Sequence, residues 1–295
     1  MPTTLDFVNL DPQGPNAQQI KFWNEEAGPR WTRLHRDLSA HIRPLGEKTM
    51  ARIPVLPQGR VLDIGCGCGD TTLHMAKRLG PEALVVGVDI SEPMLNQARI
   101  YAQEENIGHA RFEHADAQTA DLGEKVYDAM ISRFGVMFFS DPVKAFQNIH
   151  RALKPRAPMA FVCWRSLGEN PWLSMSMQVL AQHITLPRME PHAPGPFAFA
   201  DGGRVKNLLE EAGFEDVSLE GVDETLLLAG RRMELEEAVE FMLQLGPGVA
   251  LLRDANDALR AKVRSGVQEA LRPYYSDEGL RMPAAAWLVT ARAGL

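Results

Sequence analysis

Cysteine is scarce in this sequence, since its 295 residues contain only 3, at Cys66, Cys68 and Cys163. So few thiols exclude a disulfide framework, and their spacing does not suit a zinc site. Cys66 and Cys68 admit two interpretations: half of a metal or redox site, or small residues placed between glycines. We favour the second, because two ligands do not complete a tetrahedral site. Cys163 lies in an apolar segment and is expected in the core.

Clusters of positive charge and long apolar runs are also missing. No basic run exceeds a pair such as Arg231-Arg232, and 38 acidic against 31 basic residues give a net charge of -7. Electrostatic binding to a nucleic acid therefore has no driving force. No segment approaches the roughly 20 apolar residues of a membrane span, and the start of the sequence does not resemble a signal peptide. We expect a cytoplasmic monomer or homodimer that neither binds nucleic acid nor spans a membrane.

What the sequence does contain is a glycine-rich turn after a short apolar stretch. Residues 61–70 read Val-Leu-Asp-Ile-Gly-Cys-Gly-Cys-Gly-Asp. Glycine lets such a loop adopt positive φ angles and approach a ligand closely. Asp70 and Thr71 are candidate N-caps of the following helix, which ends at Gly80-Pro81. Strand, glycine loop and helix predict the first unit of a doubly wound α/β domain that binds a nucleotide-like ligand.

The alternation of strand and helix continues to residue 164. Further apolar segments are predicted as strands at residues 83–89, 111–115, 126–132 and 159–164, with helices after Ser91 and over 142–153. Apolar strands that alternate with helices are typical of a parallel sheet joined by right-handed crossovers.

The pattern changes after Trp164. We predict an amphipathic helical segment over 173–184 and a proline-rich lid over 187–196. Later elements are predicted as a helix at 204–211, a strand within 217–228, helices at 234–245 and 249–271, and a last strand at 286–293. The expected fold is a Rossmann-like, doubly wound, mostly parallel α/β sheet of about seven strands, with an N-terminal helical cover and helical insertions after strand five and before the last strand.

This organisation divides the chain into four parts. We expect an N-terminal cover over 1–55 and a cofactor-binding core over 56–165. A lid insertion over 166–203 follows, and 204–295 completes the core, with a helical insertion at about 231–275.

Acidic residues accompany the ends of the first three predicted strands. Asp63 lies near the end of the first strand, Asp89 ends the second and Asp116 follows the third. Ligands of open α/β sheets bind at these carboxyl ends, and the spacing of Asp89 from the glycine loop is that of an acid that binds ribose. Asp116 is placed to accept a hydrogen bond from the amine of an adenine held between Met94 and Ile90.

Two cofactors fit this spacing, a dinucleotide or S-adenosylmethionine. A dinucleotide loop reads G-x-G-x-x-G and places the pyrophosphate at a helix N-terminus. Here the third glycine comes one residue early and Asp70 follows it. An acid at that position opposes a pyrophosphate but tolerates the cationic amino group and sulfonium of S-adenosylmethionine. The charge therefore favours the methyl donor.

The motifs resemble those of class I S-adenosylmethionine-dependent methyltransferases, of the broad type that includes ubiquinone and menaquinone biosynthesis enzymes. The matching segments are Val-Leu-Asp-Ile-Gly-Cys-Gly-Cys-Gly from 61, Gly-Val-Asp-Ile-Ser from 87, Ala-Asp-Ala from 115 and Tyr-Asp-Ala-Met-Ile-Ser-Arg-Phe-Gly-Val-Met-Phe-Phe from 127. The resemblance covers residues 61–164 and specifies the superfamily rather than a substrate.

The resemblance implies which part of the cofactor each segment meets. The loop glycines approach the methionine part, Asp89 the ribose, and Asp116 with Ala117 the adenine. Ser132 or Arg133 belongs to the loop beneath the sulfonium, and Trp31 is similar to an aromatic residue in the N-terminal cover of such enzymes. The expected cofactor-binding residues are Asp63, Gly65, Cys66, Gly67, Asp89, Ile90, Met94, Asp116, Ala117, Ser132, Arg133 and Trp31.

A small-molecule acceptor is expected. Enzymes that methylate adenine or glutamine amides carry Asn/Asp-Pro-Pro-aromatic after the fourth strand, whereas residues 132–135 read Ser-Arg-Phe-Gly. A hydroxyl, an amine or an activated carbon therefore remains as the nucleophile. Met175, Met177 and Met189 of the insertion fit two roles, the lining of an apolar pocket for an aromatic or prenyl-like body or core packing, and core packing is expected for most of them.

No single catalytic residue stands out in the sequence. If the nucleophile needs a base, the candidates are His183, His192 and His35, because histidine titrates near neutral pH. Arg133 is a candidate for steering an anionic substrate.

Two other functions fit the same motifs. A non-catalytic S-adenosylmethionine-binding partner or regulator of a biosynthetic complex needs the same loop and acids, and a nicotinamide oxidoreductase uses a similar fold. Product formation distinguishes the first alternative, and stabilisation by NAD rather than S-adenosylhomocysteine distinguishes the second.

Overall fold

A mixed β-sheet forms the centre of the computed structural model, which describes residues 10–186, 190, 192–246 and 248–295. Its strands are β1 (Arg60–Ile64), β2 (Leu84–Asp89), β3 (Ala110–His114), β4 (Ala129–Arg133), β5 (Pro158–Trp164), β6 (Phe214–Leu227), β7 (Tyr275–Ser276) and β8 (Gly279–Ala293). The strand order is β3-β2-β1-β4-β5-β8-β6. β1 to β5 run parallel, and β8 pairs antiparallel with both β5 and β6. The predicted α/β fold with a mostly parallel sheet is confirmed.

The expected number of strands is one too low. The described part of the sheet has 8 strands, because β7 pairs with β8 outside the main path. β7 contains only 2 residues, which is too short for any period to be visible in a sequence. β8 begins earlier than predicted: Gly279 and Leu280 pair with β7, residues 281–285 pair with β6 alone, and later residues pair with both β5 and β6.

Helices connect these strands and precede the first one. They are α1 (Ala17–Glu25), α2 (Ala27–Met50), α3 (Asp70–Leu79), α4 (Glu92–Glu104), α5 (Pro142–Ala152), α6 (Pro171–Ala181), α7 (Gly202–Glu211), α8 (Leu235–Leu243), α9 (Gly248–Arg253) and α10 (Asp257–Leu271). The helix predicted over 249–271 is in fact two helices. Asn256 begins the second by accepting a hydrogen bond from the backbone N–H of Leu259 at 2.9 Å, which is a normal N-cap.

The segment predicted as amphipathic, 173–184, contains a helix that is buried nearly all round. Of the 11 residues of α6, 8 are buried, among them Met175 and Met177. The helix packs against β8 on one side and against α8 and α10 on the other, so no polar face is needed. These two methionines belong to the core instead of an open pocket. Met189, like 187–188 and 191 of the predicted lid, lies outside the described residues.

The first two helices are fastened to the segment just after β2. Asn24 donates a hydrogen bond from Nδ2 to the carbonyl of Ile90 at 2.7 Å and accepts one from the N–H of Glu92 at 3.0 Å. Ser91 Oγ donates to the carbonyl of Trp23 at 2.8 Å. α1 therefore lies across the carboxyl end of β2. No helix among the described residues is long and apolar enough to cross a membrane.

Candidate active site

A cavity of about 430 Å³ opens where the parallel strands end. It is bounded by the ends of β1, β2, β4 and β5, by the loops that follow β1, β3 and β4, and by α1 and α2. Its lining includes Trp31, His35, Gly65, Cys66, Gly67, Asp70, Asp89, Ile90, Met94, Asp116, Ala117, Arg133, Phe134, Trp164 and Trp172. The carboxyl edge of an open α/β sheet is where this architecture binds its ligands.

The loop after β1 is shaped for close approach of a ligand. Gly65 has a φ of 64°, and a Cβ there would lie 2.5 Å from the Cα of Gly135. Gly67 has a φ of 56°, and its Cβ would lie 2.8 Å from Cε of Met94. Backbone conformation thus disfavours side chains at both positions, and at Gly65 the neighbouring backbone also leaves no space for one. The predicted need for glycine at positions 65 and 67 is confirmed.

Asp89 ends β2 with its carboxylate held by backbone donors. The N–H of Gly67 donates to Oδ2 at 2.8 Å, and the N–H of Ser91 donates to Oδ1 at 2.8 Å. Burial raises the pKa of Asp89, and these two donors oppose the rise only in part. Each carboxylate oxygen can accept more than one hydrogen bond. Asp89 can therefore hold a pair of neighbouring hydroxyls while it braces the loop.

Asp116 is engaged by a residue from the N-terminal part of the chain. Asn16 donates from Nδ2 to Oδ2 of Asp116 at 2.8 Å, and the N–H of Gln118 donates to Oδ1 at 2.9 Å. Asn16 also accepts from the N–H of Ser140 at 2.9 Å, so it joins the segments after β3 and β4. Sequence reasoning missed Asn16, because it lies 100 positions away from its partner and no local motif surrounds it.

The predicted N-cap role of Asp70 is wrong. Gly69 occupies the N-cap position of α3 and no side chain caps this helix. The carboxylate of Asp70 instead lies 2.6 Å from Nε2 of His35 and 3.1 Å from a guanidinium nitrogen of Arg133. Burial raises the pKa of Asp70, but the hydrogen bond of His35 and the charge of Arg133 outweigh it and hold this pKa well below its usual value. Asp70 is thus an ionised centre bridging α2 and β4.

Two expected cofactor-binding residues lie behind the cavity and do not line it. Asp63 is completely buried and accepts hydrogen bonds from the hydroxyls of Thr71 and Thr72 at 2.5 and 2.6 Å. Burial raises the pKa of Asp63 to about 6, although the hydrogen bonds from these two hydroxyls act to lower it. Ser132 is also buried and accepts from the N–H of Gly135 at 3.2 Å. Both support the loops, because each ties a loop or helix start to the end of its own strand.

Aromatic side chains line a further part of the cavity. Phe134 stacks on Trp164 with ring centres 4.0 Å apart, and Trp172 meets Trp164 edge-on at 5.0 Å. Phe134 has a φ of 63°, which is uncommon for an aromatic residue and is typical of functional sites. Trp23 from α1 contacts both Trp31 and the ring of Phe138. We call the set Phe134, Trp164 and Trp172 the aromatic wall.

The three candidate histidines differ in whether they line the cavity. His35 lines the cavity between Asp70 and the hydroxyl of Tyr101, which lies 3.3 Å from Nδ1. His183 and His192 are exposed and do not line it. Of the predicted lid, Pro194, Gly195 and Pro196 do reach the cavity.

The thiols of the glycine loop are buried and uncharged. Burial raises the pKa of Cys66 well above its usual value and that of Cys68 to about 12. Within the described ranges no cluster of His, Cys, Asp or Glu suits a metal ion. These observations support the interpretation of both cysteines as small packing residues.

Together, the glycine loop and the acids at the strand ends define a domain for a nucleoside-type cofactor. Residues 61–156 match the family model described as a methyltransferase domain. A demethylmenaquinone methyltransferase of Listeria welshimeri is 27% identical over 139 residues, which cover 47% of this chain and 59% of that protein. Another, from Lactiplantibacillus plantarum, is 30% identical over 131 residues, which cover 44% of this chain and 55% of that protein. The chain thus spans less than two thirds of either relative.

Solved structures agree on the fold. Phosphoethanolamine N-methyltransferase 2 of Haemonchus contortus in complex with S-adenosyl-L-methionine aligns with a TM-score of 0.51 at 20% identity, over 85% of this chain and 53% of the other. This likeness shows the fold, and the family match places a methyltransferase domain at residues 61–156 of this chain. The S-adenosylmethionine bound in that neighbour is the cofactor that the sequence predicts for this chain.

The residues present fit this cofactor. Side chains at Gly65 and Gly67 would obstruct the loop. Asp89 has acceptor capacity for two ribose hydroxyls, and Met94 and Ile90 supply apolar surface beside it. The expected set is brought to one cavity except for Asp63 and Ser132. Its individual roles stay predictions.

Proposed function

We propose that the protein transfers a methyl group from S-adenosylmethionine to an oxygen, nitrogen or carbon nucleophile of a small molecule with an apolar or aromatic body. One observation carries this proposal. The cavity that contains the glycine loop and the strand-end acid Asp89 continues into the aromatic wall. A second organic molecule can therefore lie beside the cofactor in a single enclosed space.

The chain's own residues would mainly align and enclose the reactants. Bound S-adenosylmethionine supplies a methyl group already activated by a sulfonium. The glycine loop and Asp89 hold the donor side, and the rings of Trp164 and Trp172 bury the acceptor body. Alignment of this kind contributes roughly 7–11 kcal/mol of barrier reduction when it is complete. α1 and α2 cover the site and keep water out.

Of the three histidines considered as general bases, His35 is the one that lines the cavity. The hydrogen bond between Nε2 and Asp70 orients the ring, and Nδ1, which lies 3.3 Å from the hydroxyl of Tyr101, is then the nitrogen that accepts a proton. Arg133 donates to Asp70 and to Ser39 at 3.1 and 3.3 Å, so its guanidinium is already engaged. We therefore assign proton removal to His35 and a positioning role to Arg133.

The aromatic wall also favours a particular kind of acceptor. Offset and edge-on ring contacts suit a flat aromatic substrate. The two relatives above are named as demethylmenaquinone methyltransferases, and an aromatic acceptor with an apolar substituent is compatible with this wall. We propose an aromatic small molecule, with no nucleic acid partner.

The test is methyl transfer from labelled S-adenosylmethionine in an untargeted metabolite extract, with binding of S-adenosylhomocysteine measured in parallel by calorimetry. Label in an apolar or aromatic product supports the proposal. Binding without any labelled product would instead support a non-catalytic S-adenosylmethionine-binding protein. Thermal stabilisation by NAD, in the absence of any by S-adenosylhomocysteine, would indicate an oxidoreductase.

A further inference from the structure

Helix α2 passes over the region between the end of β2 and the start of α3. Gly28 of this helix lies so close to Ser91, just after Asp89, that a Cβ at Gly28 would collide with the hydroxyl of Ser91. Further along, Nε2 of His35 lies 2.6 Å from the carboxylate of Asp70, which follows the glycine loop. The two contacts are separated by about 10 Å along the helix axis, at 1.5 Å per residue. One side of α2 therefore faces both the end of β2 and the glycine loop.

Trp31 lies on this side of the helix, between the two contacts. Residues spaced by three or four share a face of an α-helix, and Trp31 follows Gly28 by three positions and precedes His35 by four. Its side chain lines the cavity. The parts of the site that face it adjoin each other, since the N–H of Gly67 donates to Oδ2 of Asp89 at 2.8 Å. Trp31 is therefore held over the junction of Gly67 and Asp89.

The ring of Trp31 has no cation stacked on it within the described residues. The guanidinium groups that do lie over aromatic rings in this part of the chain belong to Arg60 and Arg165, and neither covers Trp31. The face of an indole attracts positive charge more strongly than any other aromatic side chain. The carboxylate of Asp89, which is held by backbone N–H groups, adds negative charge beside the same junction. A positively charged ligand group is thus favoured there.

We propose that the indole of Trp31 recognises the positive charge on the sulfur of the cofactor, so that the covered site prefers the methyl donor to its product. This inference rests on the proposed methyl transfer. In S-adenosylmethionine the sulfur joins the ribose to the amino acid. The ribose is expected at Asp89 and the amino acid at the glycine loop, so the sulfur lies at the junction over which Trp31 is held.

Methyl transfer removes the charge that Trp31 recognises. The methyl group leaves without the electron pair of its bond to sulfur, and this pair stays on the sulfur as the neutral thioether of S-adenosylhomocysteine. An indole face stabilises a desolvated cation, whereas a thioether makes only the weaker contact of sulfur with an aromatic ring. α2 therefore holds the donor more tightly than the product, which assists product release.

The experiment measures, by calorimetry, the binding of S-adenosylmethionine and of S-adenosylhomocysteine to the wild type and to variants of Trp31. Trp31→Leu should lower the affinity for S-adenosylmethionine at least threefold more than the affinity for S-adenosylhomocysteine. Trp31→Phe should show a smaller difference of the same sign, because a phenyl ring attracts cations less strongly than an indole. Phe22→Leu, which removes an exposed ring from α1, is the control and should change both affinities by the same factor.

Equal losses for the two ligands in Trp31→Leu, or a larger loss for S-adenosylhomocysteine, would overturn the inference and leave methyl transfer untouched. A selective loss of the same size in Phe22→Leu would also overturn it, because the effect would then not belong to Trp31. If Trp31→Leu does not fold, Trp31→Phe decides, and equal losses for the two ligands in that variant overturn the inference. Failure of the wild type to bind either ligand would instead refute the proposed function.

Discussion

The side-chain amide of Asn16 meets the carboxylate of Asp116 at 2.8 Å. This contact, with the hydrogen bond from Ser140, ties the start of α1 to the segments after β3 and β4. We therefore expect α1 to move away from Asp116 when a ligand bound beneath it leaves.

Asn16→Ala should accelerate cofactor release. We expect S-adenosylhomocysteine to dissociate about ten times faster, because losing a buried hydrogen-bonding group costs roughly 1–3 kcal/mol. Stopped-flow fluorescence of the displaced complex measures the rate. Gln18→Ala, an exposed change in the same helix, is the control. Equal release rates in both variants would show that α1 does not restrain the ligand.

Asp89→Asn should weaken binding of S-adenosylhomocysteine at least tenfold. The amide cannot accept on both of its terminal atoms, and a hydrogen bond to a charged group contributes about 1.5–3 kcal/mol. Isothermal calorimetry measures the affinity, with the exposed Glu82→Gln just before β2 as control. An unchanged affinity in Asp89→Asn would place the ribose elsewhere.

Gly65→Ala should destabilise the fold as well as the site. The left-handed backbone costs a side-chain-bearing residue roughly 1–2 kcal/mol, and the added Cβ would lie 2.5 Å from Gly135. We expect a loss of more than about 2 kcal/mol in the free energy of unfolding, measured with urea. Gly108→Ala, whose Cβ meets nothing within 4 Å, should stay close to the wild type. Similar losses in both variants would contradict this account of the loop.

Asp63 should make the wild type less stable as the pH rises. Its pKa is raised from 3.8 to about 6, so the folded state holds a proton that the unfolded state releases between about pH 4 and pH 6. Above that window the folded state carries a buried charge. The stability of Asp63→Asn relative to the wild type should therefore increase by about 2 kcal/mol from pH 4.5 to pH 7.5.

Urea unfolding at several pH values tests this expectation, with the exposed Asp277→Asn as control. A stability difference between Asp63→Asn and the wild type that stays constant with pH would show that Asp63 has the same pKa in both states.

The histidines should differ in their effect on turnover. His35→Gln should lower methyl incorporation from labelled donor by at least tenfold, in keeping with loss of a general base, and change S-adenosylhomocysteine affinity less than threefold. His183→Ala and His192→Ala should keep wild-type turnover, since neither lines the cavity. Full activity of His35→Gln would mean that the acceptor needs no base from this residue.

The cofactor side of the site was predictable because its signals are local. Gly65, Gly67 and Asp89 lie within 25 residues of each other in a strand-loop-helix-strand unit. Each has a requirement, a backbone angle or a charge at a strand end, that restricts the residue type directly. The parallel direction of β1 to β5 follows from the same alternation of strands and helices.

The other side of the cavity depends on contacts between distant parts of the chain. Asn16, Arg30 and Trp172 have no neighbouring motif, and only the packing of α1, α2 and α6 brings them to the cavity. The N-cap prediction for Asp70 was wrong for the same reason, because its partners lie in distant parts of the chain. An acidic residue at the start of a helix is typical of an N-cap. The sequence around Asp70 does not indicate that its carboxylate pairs with His35 and Arg133.

The position of β8 constrains the order in which the chain can fold. Among the described residues, β6 joins the sheet only through β8, although it is synthesised some 50 residues earlier. During synthesis, β1 to β5 can assemble before β8 has been made. Until then β6 has no partner strand. The edge of β5 stays unpaired during the same interval. A chaperone that shields these two strand edges would therefore act just before β8 emerges.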